Sequence, residues 1–225
     1  MTVRAAAVIP AYNEAASIDL VVTGVRGLVA TTVVVDDGST DETATRARAA
    51  GADVIVQPEN LGKGAAIRAG LARVLAGDFT HVLLLDGDMQ HLPHEAARLI
   101  AAAASTGADA VLGERQFFRD AMPASRYHTN RIGSWALSSF IGVPIRDTQC
   151  GFRVFAVPVL RDLPLKATSY DIETEMLIKV RRRGGRVVGV PVTAVYAGQR
   201  SKLRPIRDTT RTCFLAVYYR YLERL

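Results

Sequence analysis

The sequence predicts an α/β fold, a mostly parallel central sheet flanked by helices, with a C-terminal amphipathic helix. Two observations predict it. Short apolar runs rich in Val, Ile or Leu recur at residues 5–9, 32–35, 54–56, 81–85 and 110–112, and segments of helical periodicity separate them. That alternation is the signature of successive βαβ units whose strands are covered on both faces. The 225 residues, 49% hydrophobic and 22% charged, suit one domain with a sizeable core and exclude a disordered or collagen-like chain.

Each element follows in order. The first run ends at Pro10 and the second at Asp36. Ser39 stands three residues before Glu42, a spacing that predicts a capping box at the start of the next helix, and Gly51 predicts its left-handed stop. A helix from about Lys63 places Ile67, Gly70, Leu71 and Val74 on one face, with Gly77 just beyond. Residues 115–125 carry charge, aromatics and Pro123 without periodicity, and are expected to form a loop over a site. A helix is predicted over 129–141, an irregular or strand segment over 149–156, a helix over 172–183 and a strand near 186–195. The last helix, from about Pro205, sets Ile206, Thr210, Cys213, Val217 and Tyr221 on one side and Arg204, Arg207 and Arg211 on another.

A formal charge of +6 favours anionic partners without choosing among them. Cys150 and Cys213 are far apart and lack metal-ligand spacing, which excludes a zinc site or a disulfide framework and makes a cytoplasmic setting the default. The run at 5–9 is too short for the apolar region of a signal peptide, and no run reaches the roughly 18 residues that span a bilayer. The chain is expected to be soluble or peripheral.

In open α/β sheets, ligands sit beyond the carboxyl ends of the strands. The residues there are polar: Pro10, Tyr12, Asn13 and Glu14 after the first run, Asp36, Asp37, Gly38 and Ser39 after the second, and Asp86, Gly87, Asp88, Met89 and Gln90 after the fourth. Three acidic loops on one edge repel one another unless something cationic or hydrogen-bonding lies between them. A divalent ion and a nucleotide answer that requirement. Asp86 and Asp88, spaced i, i+2 around Gly87, can face one side as hard oxygen ligands for Mg²⁺ or Mn²⁺. Two other phosphate motifs fail. The dinucleotide fingerprint would need glycine where Ile67 stands, and a Walker A loop would need glycine at Gln57 and Ser or Thr at Gly64. Lys63, at a helix N-terminus, could contact a phosphate or base, or simply be a solvated surface lysine.

Four motifs carry a resemblance. Val8-Ile9-Pro10-Ala11-Tyr12-Asn13-Glu14, Val34-Val35-Asp36-Asp37-Gly38-Ser39-Thr40-Asp41, Asn60-Leu61-Gly62-Lys63-Gly64 and Leu85-Asp86-Gly87-Asp88-Met89-Gln90-His91 resemble, in order and spacing, the signatures of family 2 glycosyltransferases with the GT-A fold. Asp147-Thr148-Gln149-Cys150-Gly151-Phe152-Arg153 and Arg200-Ser201-Lys202 resemble the branch that makes dolichyl- or polyprenyl-phosphate mannose and glucose. The resemblance implies a single GT-A domain over 1–225: a nucleotide-binding half to about 114, an acceptor half to about 204, and the terminal helix. It implies that Pro10, Tyr12, Glu14 and Asp37 hold the nucleoside, with Asp36 and Lys63 nearby. Asp86, Asp88 and Gln90 would hold the metal, and Arg115, Arg131, Arg200 and Lys202 would gather the donor pyrophosphate and acceptor phosphate. His91 and His94 are assigned to capping or surface positions, since the two Asp and Gln90 already fill the pattern. The run Arg181–Arg183 reads as a solvated helix end, not a nucleic-acid surface.

Transfer to a hydroxyl calls for a general base, whereas a phosphate acceptor is already an oxyanion. Asp171, Glu173 and Glu175 are the candidate bases. Metal-dependent, inverting transfer from a nucleoside diphosphate sugar to a polyprenyl phosphate is therefore one reading. The same donor chemistry on a soluble hydroxyl acceptor is another, with Asp171 or Glu173 as base. A non-catalytic nucleotide- or lipid-surface-binding protein is the third. Under the lipid reading the terminal helix rests at the inner membrane face, arginines towards anionic head groups.

Overall fold

A computed structural model of the chain describes residues 3–115, 124–195 and 218. Seven strands form one sheet in the order β3-β2-β1-β4-β6-β5-β7. They are β1 (Ala5–Ala11), β2 (Thr31–Asp36), β3 (Asp53–Val56), β4 (His81–Leu84), β5 (Ala110–Arg115), β6 (Arg153–Ala156) and β7 (Val187–Val192). Every neighbouring pair is parallel except those of β6, which runs antiparallel to both β4 and β5. The five apolar runs become five strands, and the segment at 149–156 resolves into a strand wedged between the two halves of the sheet.

Alternation along the strands builds two cores. Val8, Val33, Val35, Leu84, Leu112 and Phe155 face one side, against Ile67 and Leu71 of α3 (Lys63–Leu75) and Met176 of α7 (Ile172–Arg182). Ile9, Val34, Leu83, Val111 and Val154 face the other. There they meet Ile18, Val21 and Val25 of α1 (Ile18–Arg26) and Leu99 of α4 (Ala96–Thr106). Each such side chain contributes about 1.5–3 kcal/mol when fully buried. The predicted α3 face of Ile67, Gly70, Leu71 and Val74 is the buried one.

Two local expectations are corrected. The helix α2 (Thr43–Ala49) begins after Glu42 without a side-chain cap, because the Ser39 hydroxyl instead accepts the Asn13 N–H at 2.9 Å. Gly51 does supply the stop, at φ 93°. The helix α5 (Ala124–Ile141) starts five residues before the predicted 129, so it takes up the end of the stretch read as a loop. The rest of that loop, the Arg200-Ser201-Lys202 motif and the terminal helix except Tyr218 lie outside the described residues.

Candidate active site

The carboxyl ends of β1, β2 and β4 bring the predicted residues to one sheet edge. Pro10 is buried within β1, paired with Val35, and Tyr12 and Glu14 follow half-buried. Asp36 and Asp37 are buried. The Asp36 carboxylate accepts the Ser39 N–H at 3.0 Å and so closes its own turn. Asp37 reaches further. Its two oxygens accept the N–H groups of Leu61 and Gly62 at 2.8 and 2.9 Å, clasping the loop that leads into α3. Gly62 passes there at φ 96°, where a Cβ would come within 2.4 Å of the Thr168 carbonyl oxygen. Burial raises the Asp37 pKa, and the two backbone donors oppose that rise. Further bonds tie loop to loop: Thr40 N–H to Asn13 Oδ1 at 2.9 Å, Glu14 N–H to Thr43 Oγ1 at 2.8 Å and Ser17 Oγ to the Gly87 carbonyl at 2.7 Å.

After β4, the backbone turns sharply at Met89, which takes φ 59°, and the Asp88 carboxylate accepts the Gln90 N–H at 3.0 Å. Lys63, in the first turn of α3, puts its ammonium 2.6 Å from Asp86 Oδ1 and 3.1 Å from Glu173 Oε1. The lysine is therefore not a solvated surface group. Burial alone would raise the Asp86 pKa, and the Lys63 charge reverses it, holding that carboxyl below its ordinary range. Asp88 is pushed the other way. Burial first, then the Asp86 charge and that of Glu14, raise it to about 6.

These carboxylates bear on a divalent ion. Among the described residues no three His, Cys, Asp or Glu side chains form a metal cage. Asp86 and Asp88 nonetheless offer hard oxygen donors, and the burial and like charge that raise Asp88 disfavour an ionised pair left without a cation. The donor set fits an ion whose coordination shell is completed by water and substrate oxygens.

Across the sheet from β1 and β2, Arg115 ends β5 and grips the fully buried Asp147 with two donors, Nε to Oδ2 at 2.5 Å and Nη2 to Oδ1 at 3.1 Å. This forked pairing fixes the guanidinium plane. Arg131 lies exposed on α5. Of the three candidate bases, Glu173 belongs to the Lys63 pair. Glu175 is excluded: it is fully buried, accepts the N–H groups of Lys166 and Ala167 at 2.8–3.0 Å, and pairs with the buried Lys179 at 2.8 Å. Asp171 accepts the Ser169 N–H at 3.2 Å.

Sequence reasoning missed three groups here. His91 is no surface residue: it is 5% exposed, stacks at 5.4 Å on Phe152, brings Nε2 within 3.5 Å of Cys150 Sγ, and leaves Nδ1 without a hydrogen-bond partner. His94 is exposed as expected. Arg153 is wholly buried, and its guanidinium donates to the carbonyls of Cys150, Glu173 and Thr148 at 2.6–2.7 Å. Asp147 sits in a quoted motif, yet only its contact with Arg115, 32 residues away, reveals its work. Arg183, in the basic run, donates to the carbonyls of Arg161 and Asp162 at a helix end.

Comparison with known proteins places this geometry. The family model described as glycosyl transferase family 2 matches residues 6–164. Glycosyltransferase AglJ of Haloferax volcanii is 35% identical over 218 residues, covering 94% of this chain and 70% of the relative. Undecaprenyl-phosphate mannosyltransferase of Micrococcus luteus is 30% identical over 205 residues, covering 85% and 84%. Among solved structures, glucosyl-3-phosphoglycerate synthase from Mycobacterium tuberculosis, in complex with Mn²⁺, uridine-diphosphate-glucose and phosphoglyceric acid, superposes with a TM-score of 0.75 at 24% identity, over 97% of this chain and 79% of that one. The sheet is thus of the GT-A type, and the acidic loops at its edge fall inside the matched region. The chain belongs to glycosyl transferase family 2 and is a glycosyltransferase.

Proposed function

We propose that the protein transfers a sugar, with inversion at the anomeric carbon, from a nucleoside diphosphate sugar to a polyprenyl phosphate, with Mg²⁺ or Mn²⁺ as cofactor. One observation carries the acceptor reading: the Glu173 carboxylate, the best placed of the candidate bases, is paired at 3.1 Å with the Lys63 ammonium. That contact engages Oε1, an oxygen a general base would turn to the acceptor hydroxyl, and an acceptor phosphate needs no base. Its oxygen attacks the anomeric carbon as the bond to the diphosphate breaks. The name of the Micrococcus luteus relative supports the same acceptor class.

In this reading Pro10, Tyr12, Glu14, Asp36 and Asp37 hold the nucleoside, and Asp86, Asp88 and Gln90 hold the metal. When bound, the ion supplies Lewis-acid stabilisation of the leaving diphosphate. Arg115, Arg131, Arg200 and Lys202 bind the anionic groups, with Arg115 oriented by Asp147. The protein works in the cytoplasm, peripherally at the membrane. Among the described residues no helix is long and apolar enough to cross it.

The test supplies a uridine or guanosine diphosphate sugar with Mn²⁺ and either a short polyprenyl phosphate or phosphoglyceric acid, and identifies the product by mass spectrometry. Sugar on the lipid phosphate is expected, and Glu173→Gln keeps turnover within about tenfold at saturating Mn²⁺, whereas loss of a true base costs about 100- to 10,000-fold. Sugar on phosphoglyceric acid alone overturns the acceptor assignment. Low-salt sedimentation with anionic vesicles, reversed by salt, checks the peripheral contact.

A further inference from the structure

The Lys63 pair joins three parts of the chain that lie far apart in sequence. The ammonium comes from the start of α3, Asp86 from the loop after β4 and Glu173 from the first turn of α7. The Lys63 side chain is only 12% exposed, and its Nζ lies 5.7 Å from the centre of the Tyr170 ring. Gly151 makes the approach feasible. A Cβ at that position would stand 2.6 Å from Asp86 Oδ2 and 3.0 Å from Glu173 Oε1, so any larger residue would push the two carboxylates away. Arg153 fixes the same corner from beneath, through the carbonyls of Cys150 and Glu173.

Charge explains what this arrangement does. Asp86 and Glu14 both act on Asp88, and Lys63 is the cation that faces Asp86 at hydrogen-bonding distance. A divalent ion must share Asp86 with that ammonium. Two carboxylates, one of them shared, are few ligands for an ion that takes six. A diphosphate brings further oxygens and two more negative charges, which shift the balance towards the ion.

We propose that Lys63 is a positioning residue, a resident counter-cation that holds Asp86 and Glu173 as one unit and competes with the metal for Asp86, so that the metal is retained only together with the diphosphate. The inference rests on the reading of Asp86 and Asp88 as metal ligands. It assigns Lys63 no contact with the donor phosphates.

The experiment measures Mn²⁺ binding alone by electron paramagnetic resonance, and uridine diphosphate binding in chelator by calorimetry. Lys63→Met should bind Mn²⁺ about tenfold more tightly, because its competitor is gone, while uridine diphosphate affinity in chelator stays within about twofold. Turnover should fall about 30-fold or more with the donor KM within about threefold, since the metal-bearing carboxylate is no longer held. Lys63→Arg keeps the cation and should stay near wild type in Mn²⁺ affinity. Glu173→Gln should weaken Mn²⁺ binding about threefold, as the ammonium then serves Asp86 alone, and this effect should vanish in the Lys63→Met background. Unchanged or weaker Mn²⁺ binding by Lys63→Met overturns the proposal. So does a tenfold loss of uridine diphosphate affinity in chelator, which would make Lys63 a phosphate ligand. If Lys63→Met does not fold, Glu173→Gln decides, and an unchanged Mn²⁺ affinity overturns the proposal. Asp88→Ala separates the underlying reading: should it leave Mn²⁺ binding intact, the metal assignment fails whatever Lys63 does.

Discussion

The two halves of the sheet position their side chains by different means. In β3-β2-β1-β4 every pair is parallel, and the loops at the carboxyl edge are tied by single side chains reaching backbone groups, as Asp37 does to Leu61 and Gly62 or Ser39 to Asn13. In the half built on β6, β5 and β7, buried charges do the tying: Arg115 to Asp147, Glu175 to Lys179, and Arg153 to three carbonyls. A hydrogen-bonded loop can yield to a ligand at modest cost. A buried ion pair resists, because parting it leaves an uncompensated charge. Under the proposed function, and the Lys63–Asp86 pair apart, the donor edge is therefore the more yielding and the acceptor edge the stiffer.

Asp88→Ala tests the donor edge most severely. Removing a proposed metal ligand should lower transfer by about 1000-fold or more, with nucleotide affinity falling in Mn²⁺ and holding in chelator. Equal weakening in both conditions would leave the edge adaptive and deprive it of its ion.

The acceptor edge is broken by Arg153→Met. The change keeps much of the side-chain volume and strands the carbonyls of Cys150, Thr148 and Glu173, so denaturant unfolding should show a loss of about 3–5 kcal/mol. A loss below about 1 kcal/mol would mean that water replaces the guanidinium, and that this half is no stiffer than the other.

These two residues also mark how far the sequence could be read. Asp88 was legible because its chemistry is local: it follows an apolar run, sits two residues from Asp86, and lies at the edge where open sheets bind ligands. Arg153 follows the same strand logic, yet nothing in its neighbourhood announces full burial, and its carbonyl partner at Glu173 is 20 residues away. Lys63 and Glu173, separated by 110 residues, each invited a separate reading as phosphate ligand and as base. Their contact depends on tertiary packing of α3 against α7 and on the bare Cα of Gly151. The antiparallel course of β6 was hidden for a related reason: alternation reads the same in either direction, and only its pairing with β4 and β5 sets which way it runs.

Asp37→Ala sharpens the comparison at smaller scale. Its loss frees the N–H groups of Leu61 and Gly62 and should weaken binding of both the free nucleoside and its diphosphate by about 1–3 kcal/mol in calorimetry. Loss of diphosphate affinity alone would instead place Asp37 with the phosphates.

The smallest expected effect discriminates two roles for one hydroxyl. Ser39 has the spacing of a helix cap, but its Oγ accepts the Asn13 N–H, and Thr40 N–H returns a bond to Asn13 Oδ1. Asn13 itself takes φ 54°, a conformation that needs such local support. A helix cap lost in Ser39→Ala would cost about 1 kcal/mol of folding stability and leave nucleoside affinity untouched. A loop tie lost should do the reverse. It leaves one exposed donor that water can satisfy, so stability should change by less than about 0.5 kcal/mol, while nucleoside affinity falls about two- to fivefold as the β1 and β2 loops lose their register. Thermal melting and nucleoside titration on the same variant decide it, and a lowered melting temperature with unchanged titration would return Ser39 to the helix.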